Sequence, residues 1–355
     1  MHNTPTLEVS LAALTANYEI IKSKLGDRLC AAVVKANAYG LGMEGISKHL
    51  ASIGCKQFFV ATLAEAIDLR AVLPDAYIYV FQGLLPNEEK EFLHHKLIPV
   101  LNSMEHIERW EKVASENNAV LHVDTGMTRL GLTEPEALLL AADKARVAKL
   151  GIRMVMSHLA SANDGDIAKS NDQRLRFEKA FRAFPQPMAA SLANSAGVFL
   201  GNEYHYDIAR VGCALYGITP ITGDNPMKHI ATLSAPILQI RTLDRDETVG
   251  YGATHAAKKG SRIAICALGY ADGMMRSLSN RGFAYVADVK VPFVGRVSMD
   301  MIALDVSNIP EARLAGARAE FINAKQDVNT LTSLCDTIGY EMFTRMGRRV
   351  KYIYA

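Results

Sequence analysis

The sequence predicts an α/β protein: a (β/α)8 barrel of the TIM type followed by a C-terminal all-β domain. Three observations predict it. Eight short apolar runs alternate with helix-patterned segments over the first part of the chain. Near Pro220 that alternation stops, and strand-like runs then follow one another with few helices between them. The 355 residues also exceed the size at which one hydrophobic core stops growing, so two domains are expected. The expected division is residues 1–225 for the barrel and 226–355 for the β-domain.

The eight runs are Ala31–Val34, Phe58–Thr62, Tyr77–Phe81, Ile98–Leu101, Ala119–Val123, Arg153–Ser157, Met188–Leu192 and Tyr206–Arg210. Short unbroken apolar runs suit strands buried on both faces. Between them, Gly45–Ile53 carries Ile46, Leu50 and Ile53 at helical spacing, and Leu63–Val72 is rich in alanine and leucine. Met104–Asn117, Glu134–Ala145 and Asn171–Phe184 are charged on one face and apolar on the other. Eight such units is the number that closes a barrel. The last unit is the thinnest, with about a dozen residues between its strands. Ile221–Pro226 reads as a linker. Beyond it lie Ile237–Thr242, Arg262–Gly269, Phe283–Val289, Val291–Val297, Met301–Val306 and Ala319–Ile322, with a terminal helix expected near Val328–Gly339.

Composition narrows the function. Hydrophobic residues at 49% and charged residues at 21% are ordinary for a globular protein. A net charge of +2 with no long basic run argues against nucleic acid as a partner. The N-terminal segment lacks a basic stretch followed by an apolar one, and no apolar stretch is long enough to span a bilayer, so neither secretion nor a membrane is expected. The five cysteines, Cys30, Cys55, Cys213, Cys266 and Cys335, are scattered, odd in number and free of any Cys-x-x-Cys pair, which suits reduced thiols in the cytoplasm. His94-His95 has no carboxylate or cysteine at ligand spacing, and no metal is expected.

Barrel enzymes build their sites from the loops at the carboxyl ends of the strands. Those ends are unusually polar here. The first gives Lys35, Asn37, Tyr39, Gly40 and Gly42; the fifth Asp124-Thr125-Gly126-Met127-Thr128-Arg129; the sixth Ser157-His158; the seventh Asn194-Ser195-Ala196-Gly197; the eighth Arg210-Val211-Gly212-Cys213. An amine held half out of water has a lowered pKa and can act as a nucleophile. Small polar loops after the last two strands are where many barrels bind phosphate. Together they point to pyridoxal phosphate held by Lys35 as a Schiff base. Taken alone, Lys35 reads more readily as a surface lysine closing a strand. A Schiff-base aldolase acting on a phosphorylated sugar fits the same ring of residues but leaves the second domain without a purpose.

The sequence resembles the alanine racemase family over essentially its whole length. The resemblance is carried by Ala32-Val-Val-Lys-Ala-Asn-Ala-Tyr-Gly40, Val123-Asp-Thr-Gly-Met127 with Arg129, Arg210-Val-Gly-Cys-Ala-Leu-Tyr-Gly217, Gly250-Tyr-Gly-Ala253, Gly269-Tyr-Ala-Asp-Gly273 and Val294-Gly-Arg-Val-Ser-Met-Asp300. It implies pyridoxal 5'-phosphate as cofactor and interconversion of L- and D-alanine, supplying D-alanine for peptidoglycan. It also implies a homodimer with shared active sites.

The resemblance further implies a role for each residue. Lys35 holds the cofactor and is the base for the D isomer, and Tyr251 is the base for the L isomer. Arg129 and the Met299 backbone N–H bind the substrate carboxylate, and Tyr270 lines its entry. Tyr39, Ser195 and the N–H groups of Gly212 and Cys213 hold the phosphate. Arg210 faces the pyridine nitrogen, with His158 hydrogen-bonded behind it. Without the family pattern, Tyr251 and Tyr270 are structural tyrosines beside glycines, Met299 a core methionine, His158 a satisfied hydrogen bonder and Ser195 a helix N-cap.

Arg210 at the ring nitrogen and Tyr251 each argue against one neighbouring function. A barrel-type decarboxylase calls for an acidic partner there, and a cofactor-storage barrel has no use for Tyr251. Three positions depart from the family pattern. His122 stands where many relatives have a carbamylated lysine that orients the equivalent of Arg129, so a bound anion or a carboxylate is expected to take over that task. Leu41 replaces a frequent histidine. Arg348 falls where a phosphate-binding tyrosine is expected.

Overall fold

The computed structural model describes residues 4–114, 118–165, 167–185 and 187–355. The chain divides into two compact units. One comprises Leu14–Ala38 and Gly42–Lys228; the other comprises Met1–Ala13, Tyr39–Leu41 and His229–Ala355.

The second unit begins with a strand that the sequence pattern does not announce, β1 (Thr6–Val9). The first unit is then built on β2 (Leu29–Val33), β3 (Gln57–Val60), β4 (Tyr77–Val80), β5 (Ile98–Leu101), β6 (Ala119–His122), β7 (Ile152–Met156), β8 (Ala189–Ser191) and β9 (Ile208–Val211). All pair in parallel, in the order β8-β7-β6-β5-β4-β3-β2-β9. Across the remaining seam, Asp207 N–H donates to Ala190 O at 3.1 Å and Arg210 N–H to Ala193 O at 2.9 Å. The eight expected strands are therefore the eight of the barrel, each within about two residues of its expected ends.

The helices start where side chains cap them. Thr62 and Glu65 form a reciprocal capping box at the helix Leu63–Val72, and Thr133 with Glu136 does the same at Glu134–Ala142. The expected helix Glu134–Ala145 is two helices, because Asp143 leaves the helical conformation and its carboxylate caps the next one, Lys144–Lys149. The expected helix Met104–Asn117 runs only Met104–Glu111, where the i→i−3 bonds Lys112 N–H to Arg109 O and Val113 N–H to Trp110 O tighten its last turn. The end of that expectation, 115–117, lies outside the described residues. The thin last unit holds only the short helix Gly197–Leu200 and a 3-10 turn at Asn202–Tyr204.

The second unit is a mostly antiparallel sheet around one long strand, β10 (Ala231–Thr242), of which only the second half was legible as strand. A hairpin follows, β11 (Glu247–Val249) with β12 (His255–Ala257), and then β13 (Arg262–Cys266), β14 (Phe283–Val286), β15 (Val289–Pro292), β16 (Ile302–Asp305), β17 (Arg318–Ile322) and β18 (Lys351–Tyr354). The order is β15-β14-β17-β10-β1-β18, with β13 pairing both β10 and β16. β1 and β18 run parallel, which places both ends of this unit side by side in one sheet. The expected terminal helix is two short ones, Val328–Ser333 and Gly339–Thr344. They part at Asp336, which takes a left-handed conformation at φ +54°. Among the described residues, no helix is long and apolar enough to cross a membrane.

Candidate active site

Strand β2 is buried along nearly its whole length and ends at Lys35. Val34 N–H donates to Phe59 O at 2.9 Å, and Tyr216 Oη donates to Val33 O at 2.8 Å, so the strand end is held from both sides. Lys35 is half-buried, with its Nζ 5.7 Å from the centre of the Phe81 ring. Burial, and after it the positive charge of Arg129, lower the Lys35 pKa below that of an ordinary lysine; Glu65 acts in the opposite direction.

The chain then turns left-handed over four consecutive non-glycine residues, Ala36, Asn37, Ala38 and Tyr39, with φ between +51° and +55°. Each such residue costs about 1–2 kcal/mol, so the turn must be held by its partners. Ala36 N–H donates to Glu65 Oε1 at 2.7 Å, Met43 N–H to Asn37 Oδ1 at 2.8 Å, and Gly42 N–H to Asn37 O at 2.9 Å. Strain concentrated directly after a half-buried lysine of lowered pKa is the pattern of a functional site. Within the second unit, Tyr352 and Tyr354 donate their hydroxyls to the carbonyls of Gly40 and Leu41. A Cβ on Gly40 would lie 1.8 Å from Phe343 O, so only glycine fits there. Tyr39 packs edge-on against Tyr340, ring centres 5.8 Å apart.

On β9, directly beside β2, Arg210 is wholly buried. Its Nη1 donates to Ser191 O at 3.0 Å and to the Ser191 hydroxyl; its Nη2 donates to Ser157 O at 2.5 Å, to Leu192 O at 3.3 Å and to His158 Nδ1 at 3.4 Å. Burial lowers its pKa to about 9, which leaves it charged at neutral pH. His158 is half-buried, and its pKa lies well below that of an ordinary histidine, through desolvation first and Arg210 second. It is neutral, and Nδ1 is free to accept. One Arg210 group has no acceptor among the described residues: the buried Nε–H. A buried, unpaired N–H is costly and rare. An unprotonated pyridine nitrogen is an acceptor of the matching kind, so this donor set fits pyridoxal phosphate.

Ser195 is buried at the end of β8, and its Oγ accepts the N–H of Gly212 at 3.0 Å and of Ala214 at 3.3 Å. Two N–H groups on one hydroxyl oxygen leave the hydroxyl proton to be donated elsewhere, as a phosphate oxygen requires. The Gly212 N–H is thus directed at Ser195. Ser195 is not a helix cap; Asn194 does that, accepting Gly197 N–H at 2.9 Å. Cys213 is buried in the turn that follows β9.

The loop after β6 is shaped by Asp124, whose carboxylate accepts the N–H groups of Gly126, Met127 and Thr128 at 2.9–3.1 Å. Arg129 sits beyond it, exposed, with no hydrogen bond or ion pair among the described residues. Asp124 thus orders the loop backbone, and among the described residues no carboxylate pairs with Arg129. His122 ends β6; its Nδ1–H donates to Asn102 Oδ1 at 2.8 Å, while Asn102 Nδ2 donates to Phe81 O at 2.8 Å. Burial, and then the charge of Arg210, lower the His122 pKa to about 3.

In the second unit, Tyr251 is 74% exposed at the tip of a turn in which Gly250, Gly252 and Ala253 all have positive φ. Met299 is 53% exposed, and its N–H makes no hydrogen bond among the described residues. Its carbonyl accepts Ala271 N–H at 3.0 Å. Tyr270 is exposed in the same turn. The turn is fastened by buried Asp272, which accepts Gly269 N–H at 2.8 Å and Arg349 Nε–H at 2.8 Å. Arg348 is exposed.

The structure thus brings Lys35, Arg210, His158, Ser195, Gly212 and Cys213 to one end of the barrel, and Tyr251, Tyr270 and Met299 to exposed turns of the second unit. Sequence reasoning missed Glu65 and Asn102. Glu65 had a visible signal, standing three residues after Thr62 as a capping box requires.

Comparison with known proteins agrees along the whole chain. The family model "Alanine racemase, N-terminal domain" matches residues 9–220, and "Alanine racemase, C-terminal domain" matches residues 230–354. The alanine racemase of Rhodospirillum rubrum is 44% identical, covering 98% of this chain and 94% of its own. That of Brucella canis is 41% identical, covering 98% and 93%. Among solved structures, the alanine racemase of Bartonella henselae with covalently bound pyridoxal phosphate superposes with a TM-score of 0.93 at 35% identity over 99% of each chain. The biosynthetic alanine racemase of Pseudomonas aeruginosa gives 0.90 at 33% over the full length of both.

Proposed function

The chain belongs to the alanine racemase family, and from that premise we propose that Lys35 and Tyr251 are the two bases with which it interconverts L- and D-alanine. Its cofactor is pyridoxal phosphate. The observation that carries the assignment is a half-buried lysine of lowered pKa at the end of β2, beside a buried arginine on β9 whose Nε–H has no partner among the described residues.

When bound, pyridoxal phosphate supplies the electron-withdrawing system that accommodates the negative charge left as the Cα proton departs. Lys35 would hold the cofactor and, once released by substrate, serve as base on the face from which D-alanine loses its proton. Tyr251 would serve L-alanine from the opposite face; two bases are needed because inversion requires proton exchange on both. Arg129 and the Met299 N–H would hold the substrate carboxylate, and the unspent Met299 N–H supports this. Tyr270 would line the entry. Tyr39, Ser195 and Cys213 would hold the phosphate, with Gly212 N–H fixing the Ser195 hydroxyl. Arg210 would direct Nε–H at the ring nitrogen, backed by neutral His158. A guanidinium shares its proton without surrendering it, so the ring stays a weak electron sink, which disfavours transamination and decarboxylation.

We further propose a homodimer in which each barrel is completed by Tyr251 and Met299 of the partner subunit; the exposure of both supports this. The five cysteines form no disulfide among the described residues, which supports a cytoplasmic enzyme, and supply of D-alanine for peptidoglycan is the proposed role. Mixing Lys35→Ala and Tyr251→Phe subunits tests the arrangement. Random pairing leaves one intact site in half of the dimers, so activity should return to about one quarter of wild type. Exchange of subunits without any recovery would contradict shared sites.

A further inference from the structure

The helix Ile167–Ala183 turns Ser170, Gln173, Phe177 and Ala180 inward. Gln173 stands where leucine would ordinarily pack, yet its side chain is fully buried. Its amide makes three bonds, two to the segment after β7 and one to the loop after β6. Oε1 accepts Ala160 N–H at 2.8 Å, and Nε2 donates to His158 O at 2.8 Å and to Thr125 Oγ1 at 3.4 Å. Thr125 Oγ1 is 2.7 Å from Ser157 Oγ, and Ser157 O accepts Arg210 Nη2–H at 2.5 Å. Thr125, Ser157 and Arg210 are all buried. One amide is therefore linked to Arg210 by two routes, through Thr125 and Ser157 and through the segment that carries His158.

We propose that Gln173 is a positioning residue for the reaction. It fixes the end of β7, and with it the carbonyl and imidazole against which the Arg210 fork is set, and it ties them through Thr125 to the base of the loop that carries Arg129. The direction of Arg210 Nε–H follows from where the other guanidinium N–H groups are held, because the fork is rigid and planar. Loosening Ser157 and His158 redirects that N–H, and buried networks of this kind respond as units when one member is lost. The inference rests on the proposed placement of Arg210 at the cofactor's ring nitrogen.

The holoenzyme with Gln173→Met tests it, since methionine keeps the length of the side chain and removes all three bonds. The variant should retain bound pyridoxal phosphate, show a displaced absorption band of the bound cofactor, exchange the Ala160 amide faster, and lose about tenfold in kcat for alanine with KM changed less than about threefold. A wild-type band with wild-type kcat in the folded variant overturns the proposal, as does a lowered melting temperature with no other change. Arg210→Gln, measured alongside, separates the two levels. If its band is also unmoved, the placement of Arg210 fails; if its band moves and that of Gln173→Met does not, only the role of Gln173 fails. Should Gln173→Met not fold, Thr125→Val removes the two bonds of the Thr125 hydroxyl, leaves those from Gln173 to His158 and Ala160, and should move the band in the same direction by less; an unmoved band there overturns the proposal equally.

Discussion

The carboxylate of Glu65 accepts the N–H of Ala36 at 2.7 Å with one oxygen and the N–H of Ala61 at 2.7 Å with the other. A single side chain thus caps the helix Leu63–Val72 and anchors the first left-handed residue after Lys35. Glu65→Gln keeps an acceptor for Ala36 and removes the charge that raises the Lys35 pKa. The pH profile for reaction of Lys35 with an aldehyde should therefore move to lower pH. Glu65→Ala should show the same displacement and also lose about 1–2 kcal/mol of stability in urea unfolding, the usual cost of a lost cap and a lost buried bond.

His122 predicts how the fold responds to acid. Its pKa is lowered to about 3 by burial, against about 6.5 in the unfolded chain. Between those values the unfolded state binds a proton that the folded state refuses, so stability is present above pH 6.5 and drains away as pH falls toward 3. The slope from this group is about 1.4 kcal/mol per pH unit. Unfolding free energies measured from pH 7 to pH 4 should fall less steeply in His122→Asn than in the wild type; parallel curves would contradict the placement of a neutral imidazole beside Arg210.

Gly269 reports on Met299. A Cβ added at Gly269 would lie 2.3 Å from Met299 O, so Gly269→Ala must displace that peptide. If the Met299 N–H binds the substrate carboxylate, KM for alanine should rise about tenfold, about 1.4 kcal/mol, with a smaller change in kcat. Steady-state kinetics in both directions check it.

The barrel was legible because its strands are short apolar runs, each stopped by polar or glycine residues, as at Val34-Lys35 and Ser157-His158. β1 was not, because four residues with Glu8 among them carry no run, and their pairing with β10 and β18 spans most of the chain. The site's charged members stood out at strand ends. What holds them did not. Gln173 and Asn102 look like ordinary polar positions, and act through hydrogen bonds to residues distant in sequence. The left-handed turn at Ala36–Tyr39 has no glycine to betray it; Glu65 holds it from a distant helix, and Asn37 from within the turn itself.

The central claim is that two bases work from opposite faces, Lys35 on D-alanine and Tyr251 on L-alanine. Tyr251→Phe incubated in deuterated water, with each isomer supplied separately and Cα deuterium followed by NMR, tests it most directly. D-alanine should exchange its Cα proton while net racemisation is nearly abolished, and L-alanine should exchange far more slowly. Wild-type racemisation in this variant, or equal loss of exchange from both isomers, would contradict the account.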